Sequence, residues 1–270
     1  MRISMLFFIV ISSLLFSQNK PAAPVNFIPV EGGSCMMGCE DGEDFEKPVH
    51  KITVSDFYIN KYEVTQDEYL AIMGELPCDK SEGSDPVYNV SFDNALVYCN
   101  KRSIKEGRTP CYSIEGNTDL EAAGWLADPP ECNFNANGYR LLTEAEWEYA
   151  ARGGKLSKEF YFSGSNDFEE VAWCGQNAEG KVHPVGTKAP NELGIYDMSG
   201  NVFEWCWDKY DASFYETSPE VNPINRDGSQ DLFRGGDINY RSGKSTVYYR
   251  AFYTNAYMLG DIGIRLAVGK

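Results

Sequence analysis

The apolar residues of this chain fall into short segments separated by long polar stretches. Residues 27–30, with sequence FIPV, form an apolar run that ends at two glycines and predicts a first strand. Residues 51–59, with sequence KITVSDFYI, alternate apolar and polar side chains and predict a second strand. Both segments are short, so the pattern favours short strands over long sheets.

Two helices are predicted by their start signals. Thr65 is followed by Glu68, and Thr143 is followed by Glu146, at the spacing of a capping box. In that arrangement the threonine side chain and the glutamate side chain each satisfy a backbone N–H group of the first turn. Gly153 is placed to end the second helix.

A third helix is predicted from residue 91 or 92 to about residue 105, and most of the remaining chain is rich in Gly, Asn, Pro and Asp with little periodicity. Aromatic residues make up 14% of the chain, so large buried rings must stabilise a loop-rich body. Residues 25–268 contain no repeat, linker or low-complexity segment. We therefore expect a single α+β domain over residues 25–270.

Residues 1–17 have the pattern of a signal peptide. Arg2 supplies a positive charge, and residues 5–16 form an apolar stretch that is too short to span a bilayer comfortably. Ser17 stands where a bacterial lipoprotein signal has cysteine, so the chain as written cannot be lipidated there. Residues 18–24 form a polar spacer. We expect an exported protein at the cell surface or in the periplasm, with outer-membrane attachment left open.

The charge of the chain excludes one class of partner. The formal net charge is −16 and there is no basic run, whereas nucleic-acid binding needs clustered Lys and Arg. The acidity is explained by solubility or, alternatively, by calcium binding. Because no second apolar stretch follows the N-terminal one, we expect no transmembrane helix in the mature chain. We also expect a monomer.

Eight cysteines in an exported chain allow disulfides, although their spacing does not give the connectivity. Cys35 and Cys39 are close enough in sequence to pair with each other. Cys99 and Cys206 lie in apolar segments, and we expect them to be buried. Zinc is disfavoured because the first pair has no matching second pair or nearby histidine.

Several ordered blocks carry a family resemblance. Residues 140–154 read RLLTEAEWEYAARGG, residues 194–206 read GIYDMSGNVFEWC, and the last blocks are RGG at 234–236 and GIRL at 263–266. Over nearly the whole mature length the chain resembles the formylglycine-generating-enzyme (sulfatase-modifying factor) family. That family has a C-type-lectin-like fold. The resemblance therefore implies a loop-rich α+β fold with few helices and a small twisted sheet in which the termini meet.

The same resemblance argues against the oxidase activity of that family. The generating enzymes hold copper on two cysteines in the last block, and residues 233–253 contain none. The corresponding positions fall on or near Tyr240 and Ser245, whose phenol and hydroxyl cannot replace thiolates for Cu(I). We expect no copper and no catalysis. The alternative is a copper oxidase acting on a protein cysteine, with Cys174 or Cys206 supplying the thiolates.

Residues 234–267 resemble the variable region of diversity-generating-retroelement proteins, which end C-type-lectin domains in this way. In such regions asparagine codons are mutated at adenines, and the outcomes include Asn, Tyr, Asp, Ser, Thr, Ile and Phe. The resemblance implies a diversified binding face. Its candidate residues are Asp237, Ile238, Asn239, Tyr240, Ser242, Ser245, Thr246, Tyr248, Tyr249, Phe252, Tyr253, Asn255 and Tyr257.

A tyrosine-rich surface is physically suited to binding. Tyrosine supplies large contact area with few rotatable bonds, and Ser, Asn and Gly supply adjustable hydrogen bonds. A rigid scaffold lets such side chains change without altering the backbone. We expect an exported or surface-displayed ligand-binding protein whose partner, a protein or surface ligand, differs among variants. The alternatives are that the tyrosines are core residues, or that the domain is an inert structural module of the envelope.

The loop of residues 191–204 contains the candidate metal ligands. In the family, a calcium site uses backbone carbonyls and a carboxylate of this loop. The resemblance implies Ser199, Gly200, Val202 and Glu204 as ligands of a structural calcium ion. Oxygen ligands suit such a hard cation. The alternative role of Glu204 is a salt bridge or a cap.

Overall fold

The computed structural model describes residues 23–123, 129–253 and 261–270. The predicted signal peptide lies outside these ranges. Within them, no helix combines the length and the apolar character that crossing a membrane requires.

The described part of the chain contains six helices, three of which have eight or more residues. The helices are α1 (Gln66–Met73), α2 (Phe92–Lys105), α3 (Leu120–Ala123), α4 (Glu144–Ala151), α5 (Phe168–Val171) and α6 (Phe214–Thr217). Single turns of 3-10 helix lie at Asp44–Glu46, Gly154–Leu156 and Ser242–Lys244.

The helices α1 and α4 begin at the predicted capping boxes. The side chain of Thr65 accepts a hydrogen bond from the N–H of Glu68, and Thr143 accepts one from Glu146. Each glutamate in turn accepts the N–H of its own capping threonine. Gly153, with φ 89°, follows α4 in the left-handed region and ends it. The local sequence therefore determines where both helices start.

The strands are short and form two four-stranded sheets and two two-stranded ladders in the described residues. The strands are β1 (Phe27–Val30), β2 (Gly33–Met37), β3 (His50–Val54), β4 (Phe57–Asn60), β5 (Tyr112–Ser113), β6 (Glu131–Cys132), β7 (Tyr139–Leu141), β8 (Phe203–Tyr210), β9 (Gln230–Arg234), β10 (Ala251–Tyr253), β11 (Ile262–Gly263) and β12 (Leu266–Gly269). The first sheet has the order β1-β4-β12-β7 and the second has the order β10-β9-β8-β11. Since β1 and β12 both pair with β4, the two ends of the domain meet in one sheet, as predicted.

The predicted strand over residues 51–59 is divided between two strands. β3 pairs with β2, whereas β4 pairs with β1 and β12. Between β3 and β4 the chain turns at Ser55 and Asp56 and passes from one set of paired strands to the other. The carboxylate of Asp56 accepts a hydrogen bond from the N–H of Gly32 at 2.9 Å, and Asn222 accepts one from the N–H of Ser55 at 2.8 Å. These two polar residues form a corner, which apolar–polar alternation does not distinguish from a continuous strand.

Two hydrophobic clusters pack against the sheets. Along β12, Leu266 and Val268 enter one cluster and Ala267 enters the other, because successive side chains of a strand point to opposite faces. Trp205 on β8 belongs to the first cluster and Trp147 on α4 belongs to the second. The last strand therefore contributes to both halves of the core.

All eight cysteines lie in the described residues, and each thiol is free. Cys35 lies on β2 and forms no disulfide with Cys39, so the pairing allowed by their spacing is not made. Cys99 and Cys206 are completely buried, which confirms that prediction.

Candidate ligand-binding site

Two buried arginines hold the C-terminal block against α4. Arg250 donates from Nε and Nη2 to the two carboxylate oxygens of Glu144, at 2.6 Å and 2.9 Å. Arg234 donates to Glu144 at 3.1 Å and also to Glu148. All four side chains are buried, and buried charges are tolerated only when they are paired. This network therefore fixes the positions of both ends of the 234–250 segment.

A small open pocket of about 200 Å³ lies beside β9 and β10. The C-terminal block supplies most of its lining, and the 3-10 turn at Asp44–Glu46 supplies one ring from far upstream. The lining residues are Phe45, Phe203, Phe233, Tyr240, Tyr249, Arg250, Ala251, Phe252 and Tyr253. We call the space enclosed by the seven rings of this set the aromatic pocket.

The rings of the aromatic pocket support one another. Phe45 meets Tyr249 and Phe252 edge to face, with centroids 6.0 Å and 5.5 Å apart. Phe233 stacks on Tyr253 at 5.3 Å. Aromatic pairs in these geometries add roughly 0.5–1.5 kcal/mol beyond the area they bury. The pocket is thus held open by its own contacts before any ligand arrives.

Tyr240 is the most exposed of these rings. Its side chain is 46% exposed, and it meets Phe203 at 6.0 Å. The neighbouring tyrosine is more enclosed: burial raises the pKa of the Tyr249 hydroxyl to about 12, and the nearby negative charge of Glu46 adds to the effect. At neutral pH this hydroxyl stays protonated and keeps its capacity to donate a hydrogen bond.

Four of the predicted binding residues line the aromatic pocket, namely Tyr240, Tyr249, Phe252 and Tyr253. Asn239 is exposed next to Tyr240, and its amide donates to the carboxylate of Asp261. Ser242 is partly buried, and its N–H donates to Gln176 at 2.6 Å. Asn255 and Tyr257 lie outside the described residues.

Four other members of the predicted face are buried, and the expectation that they face solvent is wrong. Asp237, Ile238, Ser245 and Thr246 are exposed by 4%, 6%, 0% and 5%. The Asp237 carboxylate accepts the N–H groups of the next turn, at 2.9 Å and 3.2 Å, which draws it inward. The turn that Asp237 stabilises presents the exposed ring of Tyr240.

Tyr248 also differs from the prediction. It is partly buried against the cluster that contains Trp147 and Val247, and it does not line the aromatic pocket. The hypothesis that some tyrosines of this segment are packing residues therefore holds for Tyr248.

Three pocket residues lie outside the predicted face. Phe233 precedes the RGG block, and Phe203 lies inside the GIYDMSGNVFEWC block, one of those that carry the family resemblance. Phe45 comes from a polar loop about which the sequence carries no binding signal. Only its edge-to-face contacts in the folded protein connect it to the site.

The carboxylate of Glu204 is paired with two neighbouring side chains, and calcium binding at this loop stays a prediction. It accepts a hydrogen bond from Trp147 Nε1 at 2.6 Å and three from the guanidinium of Arg265, at 2.6 Å, 2.8 Å and 3.0 Å. The Nε–H of Arg265 is shared between both oxygens, so three N–H groups engage the carboxylate. The alternative role, a salt bridge, is the one that the structure supports.

The other three predicted calcium ligands take part in contacts within the fold. The hydroxyl of Ser199 accepts the N–H of Ser163 at 3.0 Å, the N–H of Gly200 donates to Gly235 at 2.7 Å, and the N–H of Val202 donates to Glu63 at 3.2 Å. Among residues 23–123, 129–253 and 261–270, no group of three or more His, Cys, Asp or Glu side chains is placed to hold a metal ion.

The two positions that correspond to the copper-binding cysteines of the family lie in different environments. Tyr240 opens onto the aromatic pocket, whereas Ser245 is completely buried. Burial raises the pKa of the Cys206 thiol well above its ordinary range, and it also raises that of Cys174. Thiols held in the protonated form are poor metal ligands and poor nucleophiles.

The chain belongs to a family that agrees with this fold. Residues 13–270 match the family described as sulfatase-modifying factor enzyme 1-like domain. A protein of Paenibacillus barcinonensis named chaperone protein LppX is 42% identical over 227 residues, covering 75% of this chain and 78% of that protein. A Bos taurus protein named inactive C-alpha-formylglycine-generating enzyme 2 is 32% identical, covering 91% of this chain and 88% of that protein.

A solved structure extends the likeness to three dimensions. Treponema denticola variable protein 1 superimposes with a TM-score of 0.75 at 30% sequence identity, covering 90% of this chain and 95% of that chain. The predicted fold class, a loop-rich α+β domain of the formylglycine-generating-enzyme type, is confirmed.

Proposed function

We propose that this protein is an exported, non-catalytic ligand-binding protein whose C-terminal face is diversified by a retroelement. The observation that carries the proposal is the aromatic pocket. The last block, which would have to supply two cysteines for copper, supplies five aromatic rings to an open pocket instead. A variable protein with a similar structure and a family member named as inactive support the same conclusion.

Within residues 234–250, some side chains hold the fold together and others are exposed to solvent. Arg234 and Arg250 are buried and paired with α4, so changing either would unbalance the core. Tyr240 and Asn239 are exposed between them. A loop with fixed, charge-paired ends and exposed side chains in the middle tolerates substitution without loss of the backbone. The partner of such a face is a protein or surface ligand that differs among variants.

Diversification is tested by sequencing the last part of this gene in a cell population. We expect codon variation concentrated between residues 237 and 261, with the codons of residues 234–236, Arg250 and residues 263–265 unchanged. A uniform segment would contradict diversification and would leave a single fixed ligand to be found.

The location of the site is tested with substitutions. Binding partners of the wild-type protein are selected from glycan and peptide arrays, and Tyr240→Ala and Tyr253→Ala are then compared with it. We expect each to weaken binding by about tenfold or more, since aromatic side chains at the centre of a contact dominate its energy. Tyr161→Ala is the matched control, because Tyr161 is 59% exposed and does not line the pocket. Equal binding by all variants would contradict this site.

The absence of catalysis is tested with copper. Titration with Cu(I), followed by thiolate-to-copper absorption, should give the same signal for the wild-type protein and for the Cys174→Ala and Cys206→Ala variants, because both of these thiols are buried. Copper binding accompanied by oxidation of a cysteine peptide would overturn the proposal in favour of an oxidase.

A further inference from the structure

We propose that the aromatic pocket binds a small organic cation of the alkylammonium class, such as a quaternary ammonium head group. This inference rests on the proposed binding function and names the chemistry of its ligand. It follows from the rings, the size of the pocket and the charges around it.

The lining of the pocket is mainly aromatic. Seven of the nine lining residues are aromatic, and ring faces attract cations through the negative charge density above the ring plane. The volume of about 200 Å³ is smaller than the roughly 300–1,000 Å³ of pockets that enclose drug-sized ligands. The space therefore suits a compact head group.

A cation of the protein itself already lies against one of these rings. The Nζ atom of Lys244 is 4.4 Å from the centroid of Tyr249, well within the roughly 6 Å at which such contacts are attractive. Lys244 follows Tyr240 on the same loop. The ring that lines the pocket is thus able to hold an ammonium group in this environment.

The charges near the pocket favour a cation over an anion. The Tyr249 hydroxyl interacts with the negative charges of Glu46, Glu43 and Asp237, and Asp237 also acts on Tyr253. These carboxylates would repel an anionic ligand in the pocket and attract a cationic one.

The positive groups close to the pocket do not reverse this preference. Arg250 lines the pocket, but its guanidinium is paired bidentately with Glu144 beneath the rings. Arg241 is exposed on the same loop, and Lys244 lies over its ring. Lys244 is therefore the group that competes most directly with an external cation.

The test compares two probes of the same shape. Choline carries a trimethylammonium group, and 3,3-dimethyl-1-butanol replaces its nitrogen by carbon and is neutral. Binding to the full chain is measured by calorimetry and by the upfield shift of the probe methyl signals in NMR spectra. We expect choline to bind in roughly the millimolar range and the neutral probe at least about tenfold more weakly, since a desolvated cation–π contact is worth about 1–2 kcal/mol.

Three variants make the test specific. Tyr253→Leu should weaken choline binding by about threefold or more, because it removes one ring face while keeping an apolar side chain. Tyr161→Leu, which changes an exposed ring away from the pocket, should leave it unchanged. Lys244→Met should strengthen choline binding by about two- to fivefold, because it removes the competing ammonium group and keeps the length of the side chain.

The outcomes separate this inference from the proposed function. Equal affinity for the two probes would overturn the cation preference while leaving an apolar binding pocket in place. Failure of both probes to bind, or choline binding that is insensitive to Tyr253→Leu, would also overturn the inference. None of these results depends on whether the gene segment varies between cells, which tests the proposed function on its own.

Discussion

Arg250 and Glu144 form a bidentate ion pair across 106 residues of chain, with neither side chain more than 2% exposed. Glu144 opens α4, and Arg250 immediately precedes β10. The contact therefore joins the helix that supports the domain to the segment that lines the aromatic pocket. The ion pair thereby holds the pocket-lining segment in a fixed position against α4.

Glu144→Gln should be strongly destabilising. The substitution leaves Arg250 without a carboxylate and weakens the pairing of Arg234, and an unpaired buried charge costs about 3–5 kcal/mol. The free energy of unfolding, measured by urea denaturation with circular dichroism, should fall by that amount.

The control for this prediction is an exposed ion pair. Lys101 and Glu121 are 2.7 Å apart, but their side chains are 40% and 54% exposed. Lys101→Gln should change the unfolding free energy by less than about 1 kcal/mol, because solvent screens such pairs. Equal losses of unfolding free energy for Glu144→Gln and Lys101→Gln would contradict the prediction that the buried ion pairs contribute more than the exposed one.

Glu204→Gln should destabilise the protein without any involvement of calcium. Arg265 would lose its carboxylate partner, although the negative charges of Glu63 and Asp197 compensate in part. We expect a loss near the lower limit of about 3 kcal/mol for a broken buried pair. In the wild-type protein, calcium and EDTA should give the same Tm within about 1 °C, since a ligand of the folded state would raise it. A large calcium-dependent rise in Tm would contradict the assignment of Glu204 to Arg265 alone.

The stability of the protein should depend on the protonation of Asp208. Burial, and then the charge of Glu144, raises the pKa of Asp208 to about 7, above the ordinary value of 3.8. Protonation of this carboxyl thus favours the folded state. Its stabilisation is fully present below the ordinary pKa and is lost as the pH rises through about 7.

Asp208→Asn should therefore flatten the pH profile of unfolding. One proton corresponds to a slope of up to about 1.4 kcal/mol per pH unit, and the variant should lose that contribution. Asp197 and Asp237, whose pKa values burial raises to about 6, continue to titrate in the variant. The difference should be clearest between about pH 4.5 and pH 7, where this carboxyl is ionised in the unfolded chain and protonated in the folded one, measured by urea denaturation. Parallel profiles for the two proteins would mean that Asp208 is ionised throughout.

The eight thiols should react in two groups. Cys99, Cys111, Cys174 and Cys206 are buried, and the other four are partly exposed. Burial also raises the pKa values of Cys99 and Cys206, which lowers the thiolate fraction that reacts. Iodoacetamide labelling of the native protein, mapped by mass spectrometry, should spare the buried group until urea is added. Labelling of Cys206 as rapid as that of Cys39 would contradict this grouping.

The sequence was most informative where structure is local. The starts of α1 and α4 follow from Thr65 and Thr143, because a capping box is complete within four residues. The corner at Ser55 and Asp56 was not predictable, since it depends on Gly32 and Asn222 from distant parts of the chain.

The candidate site shows the same limit. The tyrosines that line the pocket were predicted through the resemblance of residues 234–267 to variable regions, but polarity alone could not show that Ser245 and Thr246 are buried. Phe45 was missed because it reaches the pocket only through contacts with Tyr249 and Phe252, which lie some 200 residues away. The role of Glu204 was decided by Arg265 and Trp147, and both partners are distant in sequence.

The strand β12 occupies an interior place in the first sheet, between β4 and β7. It pairs Ala267 with Ile59 and with Arg140, so that sheet cannot close until residues near 269 have left the ribosome. Until β12 is in place, the edges of β4 and β7 that it covers are unpaired and can bind strands of other chains. A chain whose last strand is not yet in place is therefore exposed to edge-to-edge pairing with its own copies.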